Sequence, residues 1–81
     1  LETMQSLKYL SLQGTQVRNL KGIETLIGLN YLDISSTQVR WIGKLSLLSN
    51  LEQFICYNTR ILDFSLNKFK EEHPDCEVRF Y

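Results

Sequence analysis

Eighty-one residues allow one domain at most, and a globule this small buries only about 60% of its unfolded surface. Nine Lys and Arg balance nine Asp and Glu, which removes the electrostatic case for a nucleic-acid or anionic-membrane partner. No apolar run approaches the roughly 18–20 residues of a membrane span, and Leu1-Glu2-Thr3-Met4 has neither a basic segment nor a signal-peptide core. Nothing in the composition separates cytoplasm from cell surface or secretion.

Fourteen leucines and no alanine point to one structural position filled again and again by one shape. A shift of 22 residues aligns Leu7, Leu29 and Leu51, then Leu10, Leu32 and Phe54, then Leu12, Ile34 and Cys56. Thr15, Thr37 and Thr59 follow, with Val17, Val39 and Ile61, and then Leu20, Ile42 and Phe64. Ile23 falls over Leu45 and Leu26 over Leu48, and polar residues repeat as well: Thr15-Gln16-Val17-Arg18 returns as Thr37-Gln38-Val39-Arg40, and Tyr9 as Tyr31.

Within each unit, Leu10-x-Leu12 and its equivalents alternate apolar with polar, which predicts one short strand with one buried face. The next apolar residues fall three apart, at Val17, Leu20, Ile23, Leu26 and Leu29, and the stretch holds Gly22 and Gly28, so short 3₁₀-like turns are expected rather than a long helix. Strands 22 residues apart with identical returns lie parallel, and the chain is expected to wind as an α/β solenoid with its leucines inward. The repeats cover about 1–22, 23–44 and 45–64 of a single domain over 1–81.

The pattern L-x-x-L-x-L-x-x-T-x-V-x-x-L-x-x-I/L-x-x-L resembles the 22-residue leucine-rich repeats of bacterial internalins and phosphatase regulatory subunits, over about residues 1–64. The resemblance implies short parallel strands on a concave face, an irregular or 3₁₀ convex side, and protein recognition with no partner named. It departs from that family at Thr15, Thr37 and Thr59, where an asparagine ladder usually stands; a hydroxyl makes fewer bonds per rung than an amide. These threonines, with the ending Phe69-Lys70-Glu71-Glu72-His73-Pro74-Asp75-Cys76, look like the repeats and terminal caps of uncharacterised bacterial proteins and imply a bacterial origin.

Beyond Phe64 the register fails, with Asn67 and Lys70 where apolar residues are due. Leu62, Leu66 and Phe69 predict a short amphipathic helix, with Asp63 or Ser65 to cap it and Pro74 to end it; Cys76, Val78 and Phe80 predict a last strand. Residues 65–81 therefore read as a C-terminal helix–strand cap. At the other end, Leu1, Met4 and Leu7 occupy the positions of Ile23, Leu26 and Leu29, so the chain opens in mid-repeat, like a fragment of a longer protein. An uncapped strand around Tyr9 to Gln13 would favour self-association through its edge.

The outward strand positions form three columns: Tyr9, Tyr31 and Gln53; Ser11, Asp33 and Ile55; Gln13, Ser35 and Tyr57. Tyr9, Tyr31, Asp33, Ile55 and Tyr57 are the candidate contacts for an unidentified protein on the concave face, since tyrosine joins rigid area to a polar tip. The same tyrosines also suit cross-strand pairing for stability. Trp41 joins the candidates, because its equivalents Asn19 and Asp63 are polar; it stands as an exposed anchor or lies flat over Ile42. Arg18, Arg40 and Arg60 form either a basic ridge or a solvated one.

Cys56 and Cys76 both face inward, one diagonal step apart in the 22-residue register, as a staple or as two reduced thiols. His73, Asp75 and Cys76 are metal-capable, but three donors around a proline with no second cluster make a poor ligand set, and no metal or cofactor is expected. No phosphate-binding glycine–lysine loop and no nucleophile elbow occurs, and Glu71 and Glu72 adjoin on a helix where neighbours point apart. Catalysis is not expected. Two functions remain: a protein-interaction module using the concave face, or a structural segment that closes a longer protein.

Overall fold

The structure, a computed structural model, describes residues 7–80. The alignment of Leu1, Met4 and their neighbours with later repeats therefore lies outside the described residues, as does Tyr81. Three strands recur at the predicted interval: β1 (Tyr9–Ser11), β2 (Tyr31–Asp33) and β3 (Gln53–Ile55). They run parallel and in register, Tyr9 beside Tyr31 and Tyr31 beside Gln53. A fourth strand, β4 (Glu77–Arg79), joins β3 in parallel to complete a sheet in sequence order.

Each strand has three residues, so its pairing is extended by backbone bonds just outside it. The Leu12 amide donates to the Asp33 carbonyl at 2.7 Å and the Ile34 amide to Ile55 at 2.8 Å. Further round the turn, Gly14 donates to Ser35 at 3.0 Å and Ser36 to Tyr57 at 2.8 Å.

The three-residue spacing has a direct structural cause. Ile23, Leu26 and Leu29 each donate their amide to the residue three before, at 3.0 Å, and Leu45, Leu48 and Leu51 do the same at 3.0–3.1 Å. With three residues per turn, every apolar side chain returns to the same side. Regular 3₁₀ helix forms at Ile23–Thr25 and Gly43–Leu47. Ile23, Leu26, Leu29, Leu32, Ile34, Val39, Leu45, Leu48 and Phe54 are fully buried in one core; Leu7, Leu10, Leu12 and Val17 are partly buried against it.

The turn after each strand is the same in all three repeats. Gly14, Ser36 and Asn58, 22 residues apart, adopt φ of 74°, 58° and 53°. The left-handed conformation suits glycine and is tolerated by asparagine, but costs serine about 1–2 kcal/mol. The adjoining threonine hydroxyl closes the turn on its own strand: Thr15 donates to Leu12 at 2.7 Å, Thr37 to Ile34 at 2.6 Å and Thr59 to Cys56 at 3.3 Å. The threonine rungs are thus not a ladder between repeats. Hydrogen bonds between repeats run through the backbone and through side chains other than the threonines, among them Asn50, whose side-chain amide donates to the Ile27 carbonyl at 3.0 Å and whose backbone carbonyl accepts from the Asn30 side chain at 3.0 Å.

The C-terminal part departs from expectation in three respects. The helix α1 (Asp63–Glu72) begins after Leu62, an extended residue with no side-chain cap, so neither Asp63 nor Ser65 caps it; Asp63 instead places its charge in the first turn, where it complements the helix dipole. Phe64, due inward by analogy with Leu20 and Ile42, is 66% exposed. Leu66, Phe69 and His73 take the buried face, and a helical residue two before Leu66 must point away from it. Third, Gln53 pairs with Glu77, 24 residues on rather than 22. An α-helix advances only about 1.5 Å per residue, so the return to the sheet consumes more chain. Phe69 packs at 4.9 Å on Phe54 and at 4.4 Å on the His73 ring, and so fixes α1 to the core.

These turns set two expectations for stability, measured by urea unfolding. Ser36→Gly removes the left-handed strain and gains up to about 0.5–1 kcal/mol, after the entropy that glycine adds to the unfolded chain is subtracted. Thr37→Val keeps the shape but leaves the buried Ile34 carbonyl without its partner and costs about 1–2 kcal/mol, whereas Thr15→Val, at an exposed rung, costs less than about 0.5 kcal/mol.

Candidate interaction surfaces

Because parallel in-register strands sit about 4.8 Å apart, identical side chains 22 residues apart must meet face to face. Tyr9 and Tyr31 do so, with ring centroids 4.2 Å apart and planes at 7°. Tyr9 is 59% exposed, and Tyr31 half-buried beside it. Partial burial first, then the neighbouring Tyr9 hydroxyl, push the Tyr31 phenol above its ordinary range. Tyr57, at the other side of the sheet, is 36% exposed. The fourth strand adds Glu77 beside Gln53 and Arg79 beside Ile55. The Arg79 Nε and Nη2 both donate to Glu77 Oε2, at 3.0 and 2.9 Å, and this carboxylate raises the guanidinium further above its ordinary range.

The middle column serves the fold. Asp33 is buried, and its Oδ1 accepts the Ser35 amide at 2.9 Å, a local turn that Ser11 repeats more weakly with the Gln13 amide at 3.5 Å. Ser35 Oγ in turn accepts the Tyr57 amide at 3.0 Å and links two repeats. Ile55 is also buried, so Asp33 and Ile55 present little surface to a partner. The sheet face brings together Tyr9, Tyr31 and, across the buried column, Tyr57.

Trp41 lies elsewhere. It is 64% exposed and stands between two grooves that share its side chain and Gly43. One, of about 260 Å³, runs between Gly43–Leu47 and α1 and is walled by Phe64, Lys68, Phe69 and Glu72; the other, of about 510 Å³, is bordered by Leu20, Lys21 and Lys44. Phe64 escaped the sequence reading because the repeat assigned it to the core. The signal available was the helical spacing of Leu66, Phe69 and His73, which leaves position 64 on the opposite face. Arg18, Arg40 and Arg60 are all exposed.

Cys56 and Cys76 are free thiols. The 24-residue offset puts Cys76 level with Glu52, four residues from Cys56 along the strands and so about 13 Å away, beyond the reach of a disulfide. Burial pushes the Cys56 thiol up to about 12, and burial with the Glu77 charge pushes Cys76 up to about 11. His73, Asp75 and Cys76 line one cleft with Glu72, yet no three such side chains among the described residues are placed to hold a metal ion. No described helix is long and apolar enough to cross a membrane.

A leucine-rich-repeat protein of Leptospira interrogans has a similar structure, with a TM-score of 0.61 and 19% identity over 91% of this chain. At that identity the likeness is one of fold. The chain spans 25% of that protein's length. No protein-family model and no curated protein sequence matches the chain.

The thiols yield a pH dependence. Both are held neutral in the folded state above the ordinary thiol range of about 8.5, so their contribution to stability is full below that pH and is lost as pH rises towards 11 and then 12. Chemical denaturation between pH 8 and 11 is expected to show falling stability, with a shallower fall in Cys56→Val. Alkylation at pH 8 is expected to be slow in the native chain and fast in urea, Cys76 reacting before Cys56.

Proposed function

We propose that this chain is a protein-recognition module of a leucine-rich-repeat solenoid, and that it binds its partner through the outward, concave face of the parallel sheet. The observation that carries this reading is the exposed Tyr9–Tyr31 stack, a rigid aromatic platform with hydroxyl tips. Stacked rings lose little entropy when a partner covers them, and each tip hydrogen-bonds without a long side chain to order. Tyr57 supplies a second anchor across the sheet, and the Glu77–Arg79 pair forms a polar rim on β4. Trp41 lies outside this face and takes no part in this reading.

A structural role is the second reading, and a specific observation favours it: α1 lays Leu66 and Phe69 on the core and β4 pairs along β3, as a terminal cap would. Such a cap closes the end of a longer protein whose binding surface lies in other repeats.

Replacing Tyr9, Tyr31 and Tyr57 by serine separates the two readings. Under the binding reading, affinity capture of a specific partner is lost, by about tenfold or more in Kd for each anchor removed, while the melting temperature falls only by the worth of the stack, about 0.5–1.5 kcal/mol. Under the structural reading no partner is captured by the intact chain and the substitutions register in the melting temperature alone.

A further inference from the structure

Two aromatic side chains break the repeat, and the fold brings them to one groove. Trp41 occupies a position that is Asn19 in the preceding repeat and Asp63 in the next; Phe64 occupies one that is inward in both preceding repeats. They are the two most exposed large apolar side chains among the described residues, at 64% and 66%, and both wall the groove between Gly43–Leu47 and α1. Neither belongs to the core cluster. Their exposure is therefore no by-product of packing the repeats.

The charges around them have one predominant sign. The two grooves that meet at Trp41 are bordered by Lys21, Lys44 and Lys68 against the single carboxylate of Glu72. Lys44 is ion-paired with Glu24 at 3.7 Å, while its side chain stays 49% exposed and in reach of solvent. With Glu24 counted, three lysines stand against two carboxylates, an excess of one positive charge beside the exposed apolar surface.

We infer that the Trp41–Phe64 groove is a second docking site, independent of the sheet face, for an acidic peptide segment of a partner protein that inserts one bulky apolar side chain between the two rings. The anchor fills the apolar slot over Ile42 and Phe69, and carboxylates before and after it meet Lys68 on one side and Lys21 and Lys44 on the other. The apolar contact supplies most of the affinity, and the lysines fix the direction and reject basic segments.

Trp41 is the one tryptophan of the chain, so its fluorescence reports on the two grooves that meet at it, and Phe64→Ser identifies the one that is filled. The 81-residue chain is titrated with blocked ten-residue peptides, each holding one Phe, Trp or Leu flanked by Asp, Ser or Lys in all arrangements. Peptides without their own tryptophan are read by Trp41 emission, and the rest by anisotropy of a terminal dye. Acidic peptides with an anchor are expected to shift Trp41 emission to shorter wavelength saturably, and lysine-flanked ones to bind at least about tenfold more weakly at low salt. Phe64→Ser weakens the acidic set by about tenfold or more, and Lys68→Glu removes its advantage over the lysine set. Both residues are exposed, and an unchanged melting curve confirms that each variant is folded. The inference is overturned if no peptide gives a saturable shift, if acidic and basic sets bind alike, or if Phe64→Ser binds as the parent does. It is also overturned if Trp41 emission shifts with chain concentration alone, because the groove then receives a second copy. Tyr31→Ser leaves the titration unchanged, and a loss there would tie the signal to the sheet face instead.

Discussion

The fold depends on one constraint: each pass of the chain must return its three-residue strand to the same height beside the last. A strand this short has too few bonds to hold itself, and a slip of one residue would turn Tyr31 inward and Leu32 outward. The height is set on both sides of the strand. Before it, the three-residue ladder of Leu20, Ile23, Leu26 and Leu29 measures out the return in equal steps. After it, a left-handed residue at 14, 36 and 58 and a threonine hydroxyl bound to the carbonyl three residues back reverse the chain in the same way each time. The backbone bonds between repeats, such as Ile34 to Ile55, then form without further adjustment.

The parts of the fold that obey this constraint were legible in the sequence. Leu10-x-Leu12, the threefold apolar spacing and the threonines each act within a repeat, and a 22-residue shift displays them together. The Tyr9–Tyr31 stack was equally legible, since in-register parallel strands set those rings side by side. What could not be read was the effect of changing from 3₁₀ to α geometry. Phe64 keeps its place in the alignment, but in an α-helix the buried face runs through Leu66 and Phe69, and at about 100° per residue position 64 lies about 160° and about 140° from them. The same change in rise lengthens the connection to β4 by two residues and separates Cys56 from Cys76.

Within the sheet, alternation predicts which side a residue takes but not how much of it remains exposed. Asp33 and Ile55 lie in the outward column as expected, yet both are buried. For Asp33 the reason is local, because a short carboxylate two residues before a free amide bends back to bind it, and the Ser35 amide is in reach at 2.9 Å. Tyrosine resists this fate, since its polar atom stands too far from the backbone to close a tight turn. Tyr9 and Tyr57 therefore remain available where Asp33 does not, and the exposed charges of the strands are those of the Glu77–Arg79 pair on β4.

A repeat makes most positions answer to packing, so the residues least explained by packing are those that depart from it. Thr37, Leu32 and Val39 are what any neighbouring repeat would require. Trp41 and Phe64 are not: one replaces a polar residue, the other has lost its place in the core, and removing either ring leaves the buried cluster intact. The Tyr9–Tyr31 stack lies between these cases, because it stabilises adjoining strands and presents an aromatic face at once. Its loss therefore mixes stability with recognition, whereas the Trp41–Phe64 groove separates them. An exposed pair of aromatics on so small a core adds no stability of its own and offers apolar surface to non-specific association, and a site that covers both rings removes that cost.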